Sequence, residues 1–181
     1  LFRSPILARG MRDFSPQEVL EREYIFETIR KMYRLYGFMP LETPVIENLE
    51  VLTDKYGEEG DKLLFKILDS GEYLKDVPEE ALAGRDYRKI TASISDKGLR
   101  YDLTVPLARY VTMHRNELVF PFKRYQVDKV WRADRPQKGR YREFYQCDGD
   151  VIGSYSMLYD AECIFIFDTV LSALDMPAFT I

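Results

Sequence analysis

The sequence predicts an α+β fold: an antiparallel-type sheet flanked by helices. Two observations lead there. Long helical stretches with apolar stripes stand near both ends, and the chain between them holds alternating segments that present polar side chains to one side. The most informative of these is a strand–turn–strand from Lys123 to Ile152. At 181 residues, with 46% hydrophobic and 31% charged content, the chain suits one soluble domain, residues 1–181, with a real core.

The first helix opens at Ser15-Pro-Gln-Glu18, with Ser as N-cap, Pro in the first turn and Glu in the capping-box position. It should run to Tyr36 and stop at Gly37, burying Val19, Phe26, Ile29, Met32, Tyr33 and Tyr36. Gly37–Glu47 reads as extended. Pro40 and Pro44 lack an N–H donor, which suits an edge strand or an interface.

Asp61–Leu68 reads as a short strand. Residues 70–98 carry weak polar signals around a short helix at 79–83, and read as a surface insertion. Leu99–Val105 alternates, with Arg100, Asp102 and Thr104 on one face and Leu99, Tyr101, Leu103 and Val105 on the other. Pro106 then opens a helix toward Asn116, and Phe122–Arg132 is a strand.

After a basic Pro/Gly turn, the next strand puts Arg142, Phe144, Gln146, Asp148 and Asp150 on one face, with Tyr141, Glu143, Tyr145, Cys147 and Val151 on the other. Ser154 or Ser156 caps a last helix reaching Leu174, with Met157, Ala161, Ile164, Phe165, Leu171 and Leu174 inward. Ala178–Ile181 reads as the start of a further strand, so the native chain is expected to continue.

Charge is unevenly distributed. The net charge is -4, yet residues 123–142 hold eight Lys/Arg against two Asp/Glu, and residues 143–181 hold seven acids and no base. A basic turn beside an acidic tract suits a polyphosphate site. The two cysteines offer neither ligand spacing nor a disulfide framework, which points to a reducing cytoplasm. One histidine, His114, is too few for a His-based zinc site or a Ser-His-Asp triad, and no protein-held metal is expected. No apolar run reaches the ~18–20 residues of a membrane span, and no leader pattern is read at the N-terminus.

The polar face allows two readings. Arginine forks match phosphate or carboxylate, Phe144 can stack a purine, and Asp102 and Asp150 can hold an ammonium beside Thr104 and Gln146. ATP plus a small amine then shares the face, without a Gly-rich phosphate loop. Alternatively the face is a set of cross-strand salt bridges. Asp148 suits that second reading as an arginine's partner. Gln146 and Asp150 suit it less.

The strand–turn–strand resembles motif 2 of the class II aminoacyl-tRNA synthetases, and Arg135-Pro-Gln-Lys-Gly-Arg-Tyr-Arg-Glu-Phe-Tyr-Gln146 resembles the histidyl-tRNA synthetase family. Arg9-Gly-Met-Arg-Asp13 is similar to that family's N-terminal signature. Residues 16–47 are similar to motif 1, the dimer-forming element, with Pro44 as its marker proline. Tyr101-Asp-Leu-Thr-Val-Pro106 is similar to the histidine-contacting strand, and residues 123–152 span motif 2.

The resemblance implies a homodimer that uses ATP, with Mg²⁺, to activate histidine and pass it to tRNA(His). It implies that Arg132 holds the α-phosphate and the amino-acid carboxylate. Phe144 would stack on adenine, with Asp134 and Arg140 near the nucleotide. Asp102, Thr104, Gln146 and Asp150 would bind histidine. It also implies that motif 3 and an anticodon-binding domain follow Ile181, so that this stretch alone is weakly active or inactive. A histidine-sensing regulatory relative of the synthetase is the competing reading. Such a sensor has no need of Arg132, Phe144 and the basic turn together, and all three are present.

Overall fold

The computed structural model describes residues 5–53 and 63–181. Its elements in chain order are α1 (Pro16–Leu35), β1 (Met39–Pro40), β2 (Ile46–Asn48), α2 (Leu49–Thr53), β3 (Lys66–Ile67), α3 (Glu79–Gly84), α4 (Tyr87–Ile94), β4 (Lys97–Leu99), α5 (Thr104–His114), β5 (Phe122–Trp131), β6 (Glu143–Ile152) and α6 (Leu158–Ala173). Two three-stranded sheets form, ordered β1-β5-β6 and β2-β4-β3. The architecture is the expected α+β.

The chain divides into two compact units. One comprises the described parts of Leu1–Met11, Thr43–Thr112 and Lys129–Phe144. Here β4 is the middle strand, antiparallel to β2 and β3, with Glu47 opposite Gly98 and Ile67 opposite Lys97. Its core gathers Leu52, Leu64, Tyr101 and Val105, with Leu49 and Val51 against them.

The other unit comprises Arg12–Glu42, Met113–Asp128 and Tyr145–Ile181. Here β1 runs parallel to β5 at the sheet edge, pairing Pro40 with Tyr125, where a missing N–H is tolerated. Its core is Tyr33, Phe38, Tyr125 and Ile166, packed by Ile29, Tyr36, Val127, Val151, Cys163 and Val170. Tyr33 stacks on Tyr125 with ring centroids 5.2 Å apart.

Helix α1 follows the reading of its sequence. Ser15 Oγ accepts from Glu18 N at 3.3 Å, and Glu18 accepts from Ser15 N at 2.8 Å, which completes the capping box. Gly37, at φ 75, ends the helix one residue after its C-cap Tyr36.

Five expectations are corrected. The extended stretch after Gly37 is not one edge strand, because it divides into β1 and β2, which join different sheets. Of the strand expected over Asp61–Leu68, residues 61 and 62 lie outside the described residues and only Lys66–Ile67 is extended and paired.

The strand expected over Leu99–Val105 ends at Leu99, and the helix begins at Thr104, two residues before Pro106. In α6 the buried residue is Ile166, while Met157, Ile164 and Phe165, expected inward, are exposed. Ala178–Ile181 forms no strand.

Residues 70–98 hold α3 and α4 and run into β4. Val77, Ala81, Ser95 and Gly98 are buried along the way. A Cβ on Gly98 would stand 3.0 to 3.1 Å from Leu49, Leu52 and the Phe65 carbonyl, so β4 needs glycine to lie this close.

Candidate functional site

The turn between Leu99 and Thr104 is built from both of its apparent faces. Arg100 is fully buried. Its Nε donates to the Lys129 carbonyl at 2.9 Å and its Nη1 to the Thr43 carbonyl at 2.6 Å. Arg100 therefore ties backbone together and is not part of a ligand face, as its alternation had suggested. Tyr101 Oη donates to the Leu52 carbonyl at 3.1 Å. Asp102 is buried, and its Oδ1 accepts from Val105 N at 3.0 Å, capping the first turn of α5. Thr104, the first residue of α5, is exposed.

Arg132 leaves the end of β5 and donates through Nε to the Tyr101 carbonyl at 3.0 Å. Its guanidinium stands 5.1 Å from the centre of the Phe144 ring. This unit therefore brings an arginine and a flat aromatic surface together, one peptide away from Asp102.

In the turn, Arg140 Nη2 meets Asp134 Oδ2 at 2.7 Å. Arg142, read as the cationic start of the polar face, is instead a backbone tie. Its Nε donates to the Asp134 carbonyl at 2.9 Å, and its Nη atoms reach the Ala133 and Arg9 carbonyls at 3.5 Å. Arg142 N also donates to Gly10 O at 2.8 Å, which ties the N-terminal signature to the turn.

The remaining two candidates, Gln146 and Asp150, lie in the second unit on one face of β6. Gln146 Oε1 is buried and has no hydrogen-bond partner among the described residues. Such an acceptor is costly unless something donates to it. Asp150 Oδ2 stands 2.7 Å from Nη2 of Arg124, whose side chain is fully buried. Asp150 is thus an arginine's partner on this face, a role that its sequence context had suited less. Pro44, read as an interface marker, is exposed between β1 and β2.

Burial pushes the Cys147 thiol up to about 11, so it is protonated at neutral pH and a poor nucleophile. Among the described residues there is no cluster of three or more metal-ligating side chains, and no helix is long and apolar enough to cross a membrane.

Two linkages escaped the sequence. Arg109 grips Glu47 in a bidentate pair, with Nε to Oε1 and Oε2 at 3.0 and 2.9 Å and Nη2 to Oε1 at 2.7 Å. Glu143 accepts from Trp131 Nε1 at 2.9 Å and from Lys129 Nζ at 2.8 Å. Nothing in the spacing of Arg109 separates it from a solvated helix arginine.

This arrangement has known counterparts. The family model described as histidyl-tRNA synthetase matches residues 10–75. A histidine–tRNA ligase of Christiangramia forsetii is 55% identical over 179 residues, 99% of this chain and 39% of that protein. One from Bacteroides fragilis is 60% identical over 168 residues, 93% of this chain and 37% of that protein.

In structure, the histidyl-tRNA synthetase of Nostoc aligns with a TM-score of 0.70 at 35% identity, covering 96% of this chain and 34% of that one. A Bacillus halodurans protein described as an ATP phosphoribosyltransferase regulatory subunit/histidyl-tRNA synthetase aligns with a TM-score of 0.71 at 24% identity, a likeness of fold alone, covering 98% of this chain and 39% of that one. By fold, the chain is of the aminoacyl-tRNA synthetase type. By sequence it belongs with the histidyl-tRNA synthetases, and it spans 39% and 37% of the two curated relatives just described.

Proposed function

We propose that this chain forms part of a histidine–tRNA ligase, which joins the histidine carboxylate to the α-phosphate of ATP as an adenylate with release of pyrophosphate, and then passes the histidyl group to tRNA(His) with release of AMP. One observation supports it most directly: the Arg132 guanidinium against the Phe144 ring, anchored to the carbonyl beside Asp102. Arginine and ring together suit a phosphate joined to a purine. In this reading Arg132 holds the α-phosphate while the histidine carboxylate attacks it. Phe144 carries the adenine. The carboxylate itself is the nucleophile, so the step needs positioning and charge neutralisation and no general base.

Asp134 and Arg140 lie beside the nucleotide in this reading, and Arg140 exchanges its carboxylate partner for phosphate or for the tRNA acceptor end. Mg²⁺ carried with ATP would offset the phosphate charge. The residues proposed for histidine are Asp102 and Thr104 in one unit and Gln146 and Asp150 in the other, and the bare Gln146 Oε1 would accept from a substrate N–H. Homodimer formation through residues 16–47 is supported by the exposed Leu20, Tyr24 and Leu35 on α1 and by the exposed Pro44. The cytoplasm is the proposed compartment. The competing reading, a histidine-sensing regulatory protein, leaves Arg132, Phe144 and the basic turn without a task.

A non-hydrolysable histidyl-adenylate analogue tests the proposal by thermal stabilisation, against analogues carrying other amino acids. We expect a histidine-selective rise in melting temperature that Arg132→Ala removes and that Gln146→Ala reduces. A rise indifferent to the amino acid would reject the histidine assignment. A rise that survives Arg132→Ala would reject the phosphate role.

A further inference from the structure

The Glu47–Arg109 pair offers a role that neither the fold nor the substrate contacts require. Glu47 is the middle residue of β2 and stands opposite Gly98 of β4. Its side chain is only 6% exposed and that of Arg109 22%. A helix that merely covered a sheet would place an apolar side chain at this point, since a buried ion pair adds little net stability over a hydrophobic pair of similar volume. What a bidentate guanidinium–carboxylate contact adds is fixed orientation.

That orientation matters because of what α5 carries at its start. Leaving β4, the chain is held at Arg100 by two backbone carbonyls and at Tyr101 by the Leu52 carbonyl. These anchors act before Asp102. Beyond it, Asp102 caps α5 and Thr104 is its first residue. Five residues further on, Arg109 grips Glu47. The anchors fix where α5 begins, and the clamp fixes how far the helix is turned about its own axis. A turn of roughly 20° would move a side chain at about 5–6 Å from the axis by about 2 Å. A misplacement of about 1 Å in a substrate contact can cost about a hundredfold in rate.

We propose that Glu47 and Arg109 are positioning residues: the clamp sets the rotation of α5 so that Thr104, and Asp102 through its cap, present the geometry that binds the amino-acid substrate. This rests on the reading that Asp102 and Thr104 contact histidine. Arg132 depends on the Tyr101 carbonyl, and Tyr101 is held separately through its hydroxyl on the Leu52 carbonyl, so the clamp acts on the amino acid and not on the nucleotide.

Histidine-dependent ATP–pyrophosphate exchange by the complete gene product tests it. Arg109→Lys keeps the charge but not the two-point grip, and Arg109→Gln removes both. The KM for histidine should rise about tenfold or more in Arg109→Gln and less in Arg109→Lys, with the KM for ATP changing less than twofold. Glu47→Gln should match Arg109→Gln, and the double variant should be no worse than either single one.

An unchanged histidine KM in a folded variant overturns the proposal. So does an equal rise in both KM values, which is what a loss of packing alone would give. Should Arg109→Gln fail to fold, the Arg109→Lys split between the two KM values decides the matter. Absence of exchange in the unsubstituted protein overturns the functional reading itself, and the clamp's role with it.

Discussion

A Cβ added to Gly149 would come within 2.3 Å of the Tyr33 ring. Tyr33 cannot yield, because it is buried in the core of its unit, stacks on Tyr125 and donates from its hydroxyl to the Cys147 carbonyl at 3.3 Å. Gly149→Ala should therefore destabilise the chain by about 1–3 kcal/mol or more, read as a lowered urea midpoint. A midpoint unchanged from that of the unsubstituted chain would mean that β6 moves aside freely.

The same scale explains what the sequence hid. Arg100 and Arg142 sat at the parity of a ligand-binding face, yet each spends its donors on backbone carbonyls. A guanidinium offers five donors and can satisfy several carbonyls at once, and alternation carries no information about which acceptor it finds. Asp150 meets an arginine because Arg124 of β5, a residue far away in sequence, is buried beside it.

Helices were legible where capping chemistry was local. Ser15 and Glu18 satisfy each other's backbone N–H groups, so Ser15→Ala should cost about 1 kcal/mol, and Ser15→Asp should recover most of it. Thermal melting of the two variants checks this, and equal losses in both would remove the cap from the account. The start of α5 was misread for a physical reason. Arg100, Tyr101, Asp102 and Leu103 are all buried, so the alternation of polar and apolar residues there is no alternation of exposure. Asp102 before Thr104 and Pro106 was a helix-start signal that the strand pattern outweighed. The inward face of α6 was illegible because Ile164, Phe165, Ile166 and Phe167 are apolar on every side. Only the surrounding fold selects Ile166 for burial.

Across the whole molecule, the local excess of positive charge is smaller in effect than its count. Of the eight cations between 123 and 142, Arg124 pairs with Asp150, Lys123 with Glu162 and Lys129 with Glu143, while Arg132 and Arg142 donate to carbonyls. The outward charge is left chiefly to Arg135 and Lys138, both exposed in the turn, since the exposed Arg140 is held by Asp134. If tRNA(His) meets this turn, those residues, and not the tract as a whole, set the salt dependence of binding. Each phosphate contact contributes roughly 0.7–0.9 to the slope of log affinity against log salt. The Arg135→Ala/Lys138→Ala double variant should therefore flatten the slope by roughly 1.5, measured by tRNA binding between about 50 and about 200 mM salt. Lys129→Ala, which removes a cation already held by Glu143, should leave the slope as it was. An equal flattening by both would return the role to the overall basic tract, and an unchanged slope in the double variant would take the turn out of the tRNA contact altogether.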